Sequence, residues 1–154
     1  APPLQQPLVA PPSGTLALVA APTPGYLARH GTPMHPHDLD DGHVTVNYFS
    51  PRTGRPFGHV FEKDGESIEI AGNYKVSVND SNAHIAALLA GLGISQTARF
   101  AAAPYLASGE LVEVLPDWRH PVIPMHVVYP PNRHLSAKVR AFVEWTAELF
   151  ARQA

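Results

Sequence analysis

Nine histidines are the first residues in this 154-residue chain whose chemistry invites a function. His35, His37 and His43 lie close to Asp38, Asp40 and Asp41, and imidazole with carboxylate is a proper donor set for zinc or nickel. The spacing offers no rigid pair four residues apart on a helix, and a polar turn around Pro36 explains the composition as well, so no metal is expected. The chain has no cysteine, which removes disulfides, thiolate metal sites and thiol nucleophiles. Neither a G-x-S-x-G elbow, a phosphate-binding loop nor a dinucleotide fingerprint occurs; Gly91-Leu92-Gly93 follows a helical pattern, where a glycine-rich turn simply leads into a strand. Ser, His and Asp are common enough to make accidental triads, and nothing marks an activated nucleophile or an acid–base pair. The expectation is a protein that is not an enzyme and carries no cofactor.

What remains is hydrogen bonding. Three polar clusters follow apolar stretches: Asn47, Tyr48, Phe49 and Ser50; Asn79, Asp80, Ser81 and Asn82; and Ser95, Gln96 and Thr97. Their backbone N–H groups and short side chains suit a small carboxylate or an aromatic acid. A helix starting at Ser81 would favour an anion at its N-terminus. The bland alternative is that Asn79, Asp80 and Ser81 form a helix cap and nothing more.

The elements that must position these clusters are short and sharply bounded. Leu16 to Ala20 reads as a buried strand, and Pro24 to His30, closed by Gly31, as a short helix. Alternation predicts strands at His43–Phe49 and Tyr74–Val78. His59–Glu62 and Ser67–Ile70, joined through Asp64-Gly65, predict a hairpin with a type I′ turn. The cap cluster predicts a helix over Ala83–Ala90 that Gly91 ends, then a strand from Leu92 to Ser95. Further elements are expected at Ala98–Ser108 (helix), Leu111–Leu115 (strand) and Met125–Tyr129 (strand). A last helix, capped by Ser136 and running to Arg152, carries Val139, Phe142, Val143, Leu149 and Phe150 as one apolar stripe against the core. Trp118 is expected to anchor packing at a junction between parts of the fold.

Hydrophobic residues make up 45% of the chain, enough for a packed core. A formal charge of −2 shows no basic excess of the kind that binds nucleic acid. No apolar run nears the roughly 20 residues that span a bilayer, and the proline-rich start has no signal-peptide pattern, so no membrane partner is expected.

Three stretches resemble LysR-type transcriptional regulators. The first is Leu18-Val19-Ala20-Ala21-Pro22 with Gly25-Tyr26-Leu27-Ala28-Arg29-His30-Gly31-Thr32-Pro33 and His35-Pro36-His37-Asp38-Leu39. The second is Ala86-Ala87-Leu88-Leu89-Ala90-Gly91-Leu92-Gly93-Ile94-Ser95. The third joins Pro104-Tyr105-Leu106-Ala107-Ser108-Gly109-Glu110-Leu111-Val112-Glu113-Val114-Leu115-Pro116-Asp117-Trp118 to Tyr129-Pro130 and Leu135-Ser136-Ala137-Lys138-Val139-Arg140-Ala141-Phe142-Val143. Their order and spacing cover nearly the whole chain.

The resemblance implies an α/β fold: a type 2 periplasmic-binding-protein-like effector-binding domain, present as its second lobe plus the C-terminal elements of the first. Residues 1–20 would hold the end of the first lobe and the first crossover strand, 21–120 the second lobe, and 121–154 the second crossover with the closing strand and helix. The N-terminal winged helix-turn-helix would lie outside this chain. A small-molecule effector would bind between the lobes, against the three polar clusters, in a cytoplasmic homodimer or homotetramer that touches DNA only through the missing domain. The alternative is a solute-binding protein of a transport system with the same fold.

Overall fold

Short apolar runs cut by proline and glycine build ten strands, four α-helices and one 3-10 helix among the described residues of the computed structural model, namely 8–9, 14–126, 128–129 and 136–151. In chain order these are β1 (Leu8–Val9), β2 (Gly14–Leu16), β3 (Leu18–Ala21), α1 (Pro24–His30), the 3-10 helix Pro36–Leu39, β4 (Thr45–Tyr48), β5 (His59–Lys63), β6 (Glu66–Ile70), β7 (Tyr74–Val78), α2 (Ser81–Leu89), β8 (Ser95–Ala98), α3 (Arg99–Ser108), β9 (Ile123–Met125), β10 (Val128–Tyr129) and α4 (Ala137–Ala151). They fall into two compact units, Leu18–Pro121 and a smaller one drawn from the residues on either side of it.

In the larger unit, β4 pairs in parallel with β7, and on its other side makes a parallel bridge to Ile94, where the chain leads into β8. β8 then pairs antiparallel with β3. Every second residue of β3 faces the opposite way, and both directions are buried, as in a sheet covered on both faces. Ala20 joins one core with Tyr26, Leu39, Phe61, Ile70, Ile94 and Trp118. Val19 and Ala21 join the other with Val46, Ala87, Leu88, Ala102 and Leu111. α2 turns His84, Ile85, Ala87 and Leu88 inward, at helical spacing.

The hairpin β5–β6 forms as its turn chemistry demands. Asp64 and Gly65 take φ of 51° and 83°, the two positive values of a type I′ turn. Glu62 exchanges a pair of 2.8 Å backbone hydrogen bonds with Arg119, so the chain beyond the second core becomes a third member of this sheet. Trp118 is buried in the first core cluster of the larger unit, edge-on to His35 and beneath the Lys63 ammonium at 5.7 Å. Its packing is thus inside one unit, where the indole completes the core under the hairpin.

Several element boundaries differ from those the pattern predicts. The run Leu16–Ala20 is cut at Ala17, because β2 pairs with β9 in the smaller unit while β3 pairs with β8. The strand expected at Leu92–Ser95 begins at Ser95 and reaches Ala98, which moves the start of α3 to Arg99. Leu111–Leu115 forms no regular strand. Val112 and Val114 donate to the carbonyls of Pro22 and Ala20, but Pro22 has no N–H with which to return a bond, and Leu115 leaves the β region at φ 54°. The expected strand Met125–Tyr129 divides into β9 and β10, with residue 127 outside the described residues.

In the smaller unit β1 pairs with β10, β2 pairs with β9, both antiparallel, and α4 packs on β2. The stripe on α4 is not core as expected: among the described residues Phe142 is 57% exposed, and Val139 and Leu149 are also open; the three-residue β2 packs on a helix of 15 residues. The Phe150 side chain and Arg152 lie outside the described residues.

Candidate functional site

Parallel pairing puts the ends of β4 and β7 at one edge of the sheet, so two of the polar clusters meet there. Phe49 N–H donates to the Val78 carbonyl at 2.8 Å, and the Tyr48 hydroxyl donates to the Asn79 carbonyl at 2.7 Å. Beside them α2 begins. Asp80 takes the N-cap, its Oδ1 accepting from Ala83 N–H at 2.9 Å, and Ser81 and Asn82 stand exposed in the first turn. The Asp80 carboxylate thus already sits at the positive end of the helix dipole. Replacing Asp80 by alanine is expected to lower stability by about 1 kcal/mol, and by asparagine far less. Urea denaturation of the two variants checks this, and equal midpoints would show the cap bond to be idle.

The loop after β4 folds back on itself. Ser50 donates to the Arg55 carbonyl, Gly54 donates to that of Ser50, and Phe57 donates to that of Tyr48. The Phe57 ring stacks against Tyr48 at 6.5 Å and remains 56% exposed. A half-buried tyrosine with an exposed phenylalanine therefore flanks the strand ends.

Behind this edge Asn47, Ser95 and Thr97 are buried and Gln96 is half-buried, and the sheet separates them. Asn47 lies on the hairpin side, where its Nδ2 donates to the Ala71 carbonyl at 2.9 Å and its Oδ1 lies 3.1 Å from His59 Nε2. Because the amide nitrogen is committed to Ala71, Oδ1 is the acceptor and His59 Nε2 carries the proton. Ser95 lies on the α2 side, with its Oγ 2.8 Å from His84 Nε2 and 3.3 Å from the Gln96 carbonyl. The Tyr48 ring meets His84 edge-on at 5.7 Å. Gln96 returns to the hairpin side: its Oε1 accepts from Val60 N–H at 3.1 Å, and its Nε2 donates to the Val60 carbonyl at 2.6 Å and lies 2.7 Å from His120 Nδ1. Thr97 is buried opposite Val19.

Three histidines, two buried (His59, His84) and one half-buried (His120), absent from the candidates read off the sequence, thus hold three of them in place. Burial pushes the His59 imidazole down to about 4; His84 and His120 push the same way, and Asp40 opposes them. Burial also lowers His84, against a hydrogen bond to the Val46 carbonyl that favours its charged form. His120 is lowered by burial and by Arg99, against Glu113 and a hydrogen bond to the Val60 carbonyl, both of which favour its charged form. All three are neutral near pH 7. His59 was legible as the inward partner of Phe61 in an alternating strand, and His84 as a neighbour of Leu88 one helical turn on. His120 carried no signal in its spacing.

The Ser95–His84 separation is that of a nucleophile and its base. Ser95 is 1% exposed and roofed by α2, so no substrate carbonyl reaches it. The residues around Pro36 also have structural duties. Asp38 accepts from the Met34 and His35 N–H groups, and His35 Nδ1 accepts from His37 N–H, closing a capping box on the 3-10 helix. Among the described residues no group of three or more His, Cys, Asp or Glu side chains gathers as a metal site, and no helix is long and apolar enough to cross a membrane.

A sheet covered on both faces, with polar groups at its parallel strand ends, is an arrangement in which α/β domains commonly bind ligands. The LysR substrate binding domain profile matches residues 1–151, and the chain belongs to that family, with its type 2 periplasmic-binding-protein-like fold. An HTH-type transcriptional repressor of Pseudomonas aeruginosa is 39% identical over 129 residues, 84% of this chain and 40% of the relative. The Escherichia coli HTH-type regulator YhjC is 39% identical over 142 residues, 91% of this chain and 46% of the relative. The chain thus spans less than half the length of these relatives. Among solved structures, the full-length Vibrio cholerae virulence activator AphB superposes with a TM-score of 0.75 at 22% identity, covering 96% of this chain and 49% of that one. The regulatory domain of CrgA from Neisseria meningitidis gives 0.72 at 22%, covering 92% and 68%.

Proposed function

We propose that this chain is the effector-sensing part of a LysR-type transcription regulator. In this reading a small organic or aromatic acid binds between two lobes, the larger unit supplying the second lobe and the smaller unit the closing elements of the first. The family membership over residues 1–151 carries the reading, and the naming of the relatives as transcriptional regulators supports it. The two stretches that flank the larger unit, β2 and β9, pair antiparallel, as two crossover strands would. Binding free energy shifts the balance between two lobe arrangements, and no bond is made or broken. DNA is contacted by a separate N-terminal domain, within a cytoplasmic homodimer or homotetramer.

At the site, Tyr48, Phe49, Ser50, Ser81 and Asn82 are the groups a ligand touches, with Asp80 holding the start of α2 in shape. Asn47, Ser95, Gln96 and Thr97 act from behind them, as the frame. A thermal-shift screen of organic and aromatic acids against the full chain tests this. A ligand at 100 times its Kd adds about 2.7 kcal/mol to stability. Tyr48→Ala and Asn82→Ala are expected to weaken such a ligand at least about tenfold, the equivalent of about 1.4 kcal/mol. A ligand whose melting shift survives both changes would move the site away from the strand ends.

A further inference from the structure

The Gln96 side chain behaves like an extra length of backbone. Its carbonyl oxygen accepts from Val60 N–H, and its nitrogen donates to the Val60 carbonyl, so one amide ties the middle of β8 to the hairpin strand β5. That pairing also sets the direction of the amide. Turned over, it would face oxygen to oxygen and N–H to N–H across Val60. The second hydrogen on Nε2 is therefore aimed at His120 Nδ1, 2.7 Å away. His120 can accept it only while Nδ1 is bare. A proton there would set donor against donor at hydrogen-bond distance, with no rotation of Gln96 available to relieve it.

We propose that His120, Gln96 and Val60 form a proton-operated latch, in which the neutral imidazole fastens β8 to the hairpin and its protonation releases them. His120 is the next-to-last residue of the larger unit, one place before the chain leaves at Pro121, so the latch acts on the segment that follows Arg119 out of the hairpin sheet. The groups that face it come from every side: Arg99 from α3, Glu113 from the extended chain, the Phe61 ring at 5.4 Å and the Val60 carbonyl from β5, and His59 from the same strand; a hydrogen bond to the Val60 carbonyl favours the charged ring, which then competes with Gln96 for that acceptor. Arg99 and Glu113 are paired with each other at 2.6 Å, so their opposed effects on the ring largely offset one another. Burial sets the direction, holding His120 in its accepting form at neutral pH. The neighbouring pair behaves differently. Ser95 has a second acceptor in the Gln96 carbonyl, so its hydroxyl can turn away when His84 gains a proton. The bearing of the latch on effector sensing rests on the function proposed above, because Gln96 belongs to the frame of that site.

The test is a histidine and amide NMR titration of the full chain, with no ligand present. His120 is expected to titrate below the ordinary histidine value, and the Val60 amide resonance to move with the same midpoint. In Gln96→Glu the carboxylate accepts from the imidazolium, and the His120 midpoint is expected to rise by about one pH unit or more, a tenfold change in proton affinity. An ordinary His120 midpoint, or a Val60 amide that is silent through it, overturns the latch in the unaltered protein, whether or not the variant folds. A Gln96→Glu midpoint equal to the parent's does the same. None of these readouts involves an effector, so their failure leaves the ligand-binding proposal standing, and a failed ligand screen leaves the latch standing.

Discussion

Acidification from neutral pH to about 4 is expected to remove about 3 kcal/mol of stability through His59 alone. The ring is buried on the hairpin side of β4, with its Nε2–H committed to Asn47. Charging it means placing an imidazolium beside His84 and His120, with Asp40 the one opposing influence. In the unfolded chain the same ring takes a proton near its ordinary value of 6.5, whereas in the native protein it waits until about 4. Between those limits the unfolded state binds the extra proton, so stability is complete above about pH 6.5 and falls by about 1.4 kcal/mol per pH unit below it. His43, His84 and His120, all lowered, act in the same direction and steepen the fall. Hydrogen bonds from the His35 and Met34 N–H groups hold the Asp38 carboxyl below its ordinary range, so it contributes only below this window. Urea midpoints at about pH 7.5 and about pH 5 check this fall. Equal stabilities at the two pH values would mean that the buried rings are not neutral, and the account of the site's frame would fail with them.

Gly93→Ala is expected to destabilise the larger unit by about 3 kcal/mol, the upper end for overpacking. A Cβ at this position would stand 2.6 Å from the Val44 carbonyl oxygen, with Val44 C and Thr45 C close behind. Backbone of this kind cannot swing aside as a side chain would. The Val44 carbonyl accepts from Ile94 N–H at 2.9 Å and from the Tyr26 hydroxyl at 3.3 Å, and the same hydroxyl accepts from Val44 N–H at 2.8 Å. Shifting it would part β4 from Ile94, the bridge that joins the parallel pair to β8 and β3. Gly91→Ala nearby is a control with a different cause, since φ there is 70° and the cost is one of backbone conformation. Thermal and urea unfolding of Gly93→Ala measure the effect. A loss under about 1 kcal/mol would show that β4 and the Ile94 segment can separate freely.

The local pattern of the chain was enough for most elements. Alternation and the Asp64-Gly65 turn specify the hairpin, because only residues tolerant of positive φ close a two-residue loop with the right twist. The Asp80 cap and the apolar spacing of α2 specify that helix, because both act within a few residues of one another. The three polar clusters were legible for the same reason: each sits where a pattern stops. The order of motifs along the chain was likewise enough to indicate the family.

Tertiary structure alone settled which of these residues stand at a surface and which stand behind it. Nothing local says that Asn47 and Gln96 face the hairpin while Ser95 faces α2, or that the partners are His59, His120 and His84. Those pairings join positions 11 to 24 residues apart, and they depend on β4 lying between β7 and Ile94. The break of Leu16–Ala20 into β2 and β3, and the failure of Leu111–Leu115 to become a strand, have the same origin. Strand pairing is a contract between distant segments, and a residue such as Pro22 withholds its half of a hydrogen bond wherever the fold happens to place it.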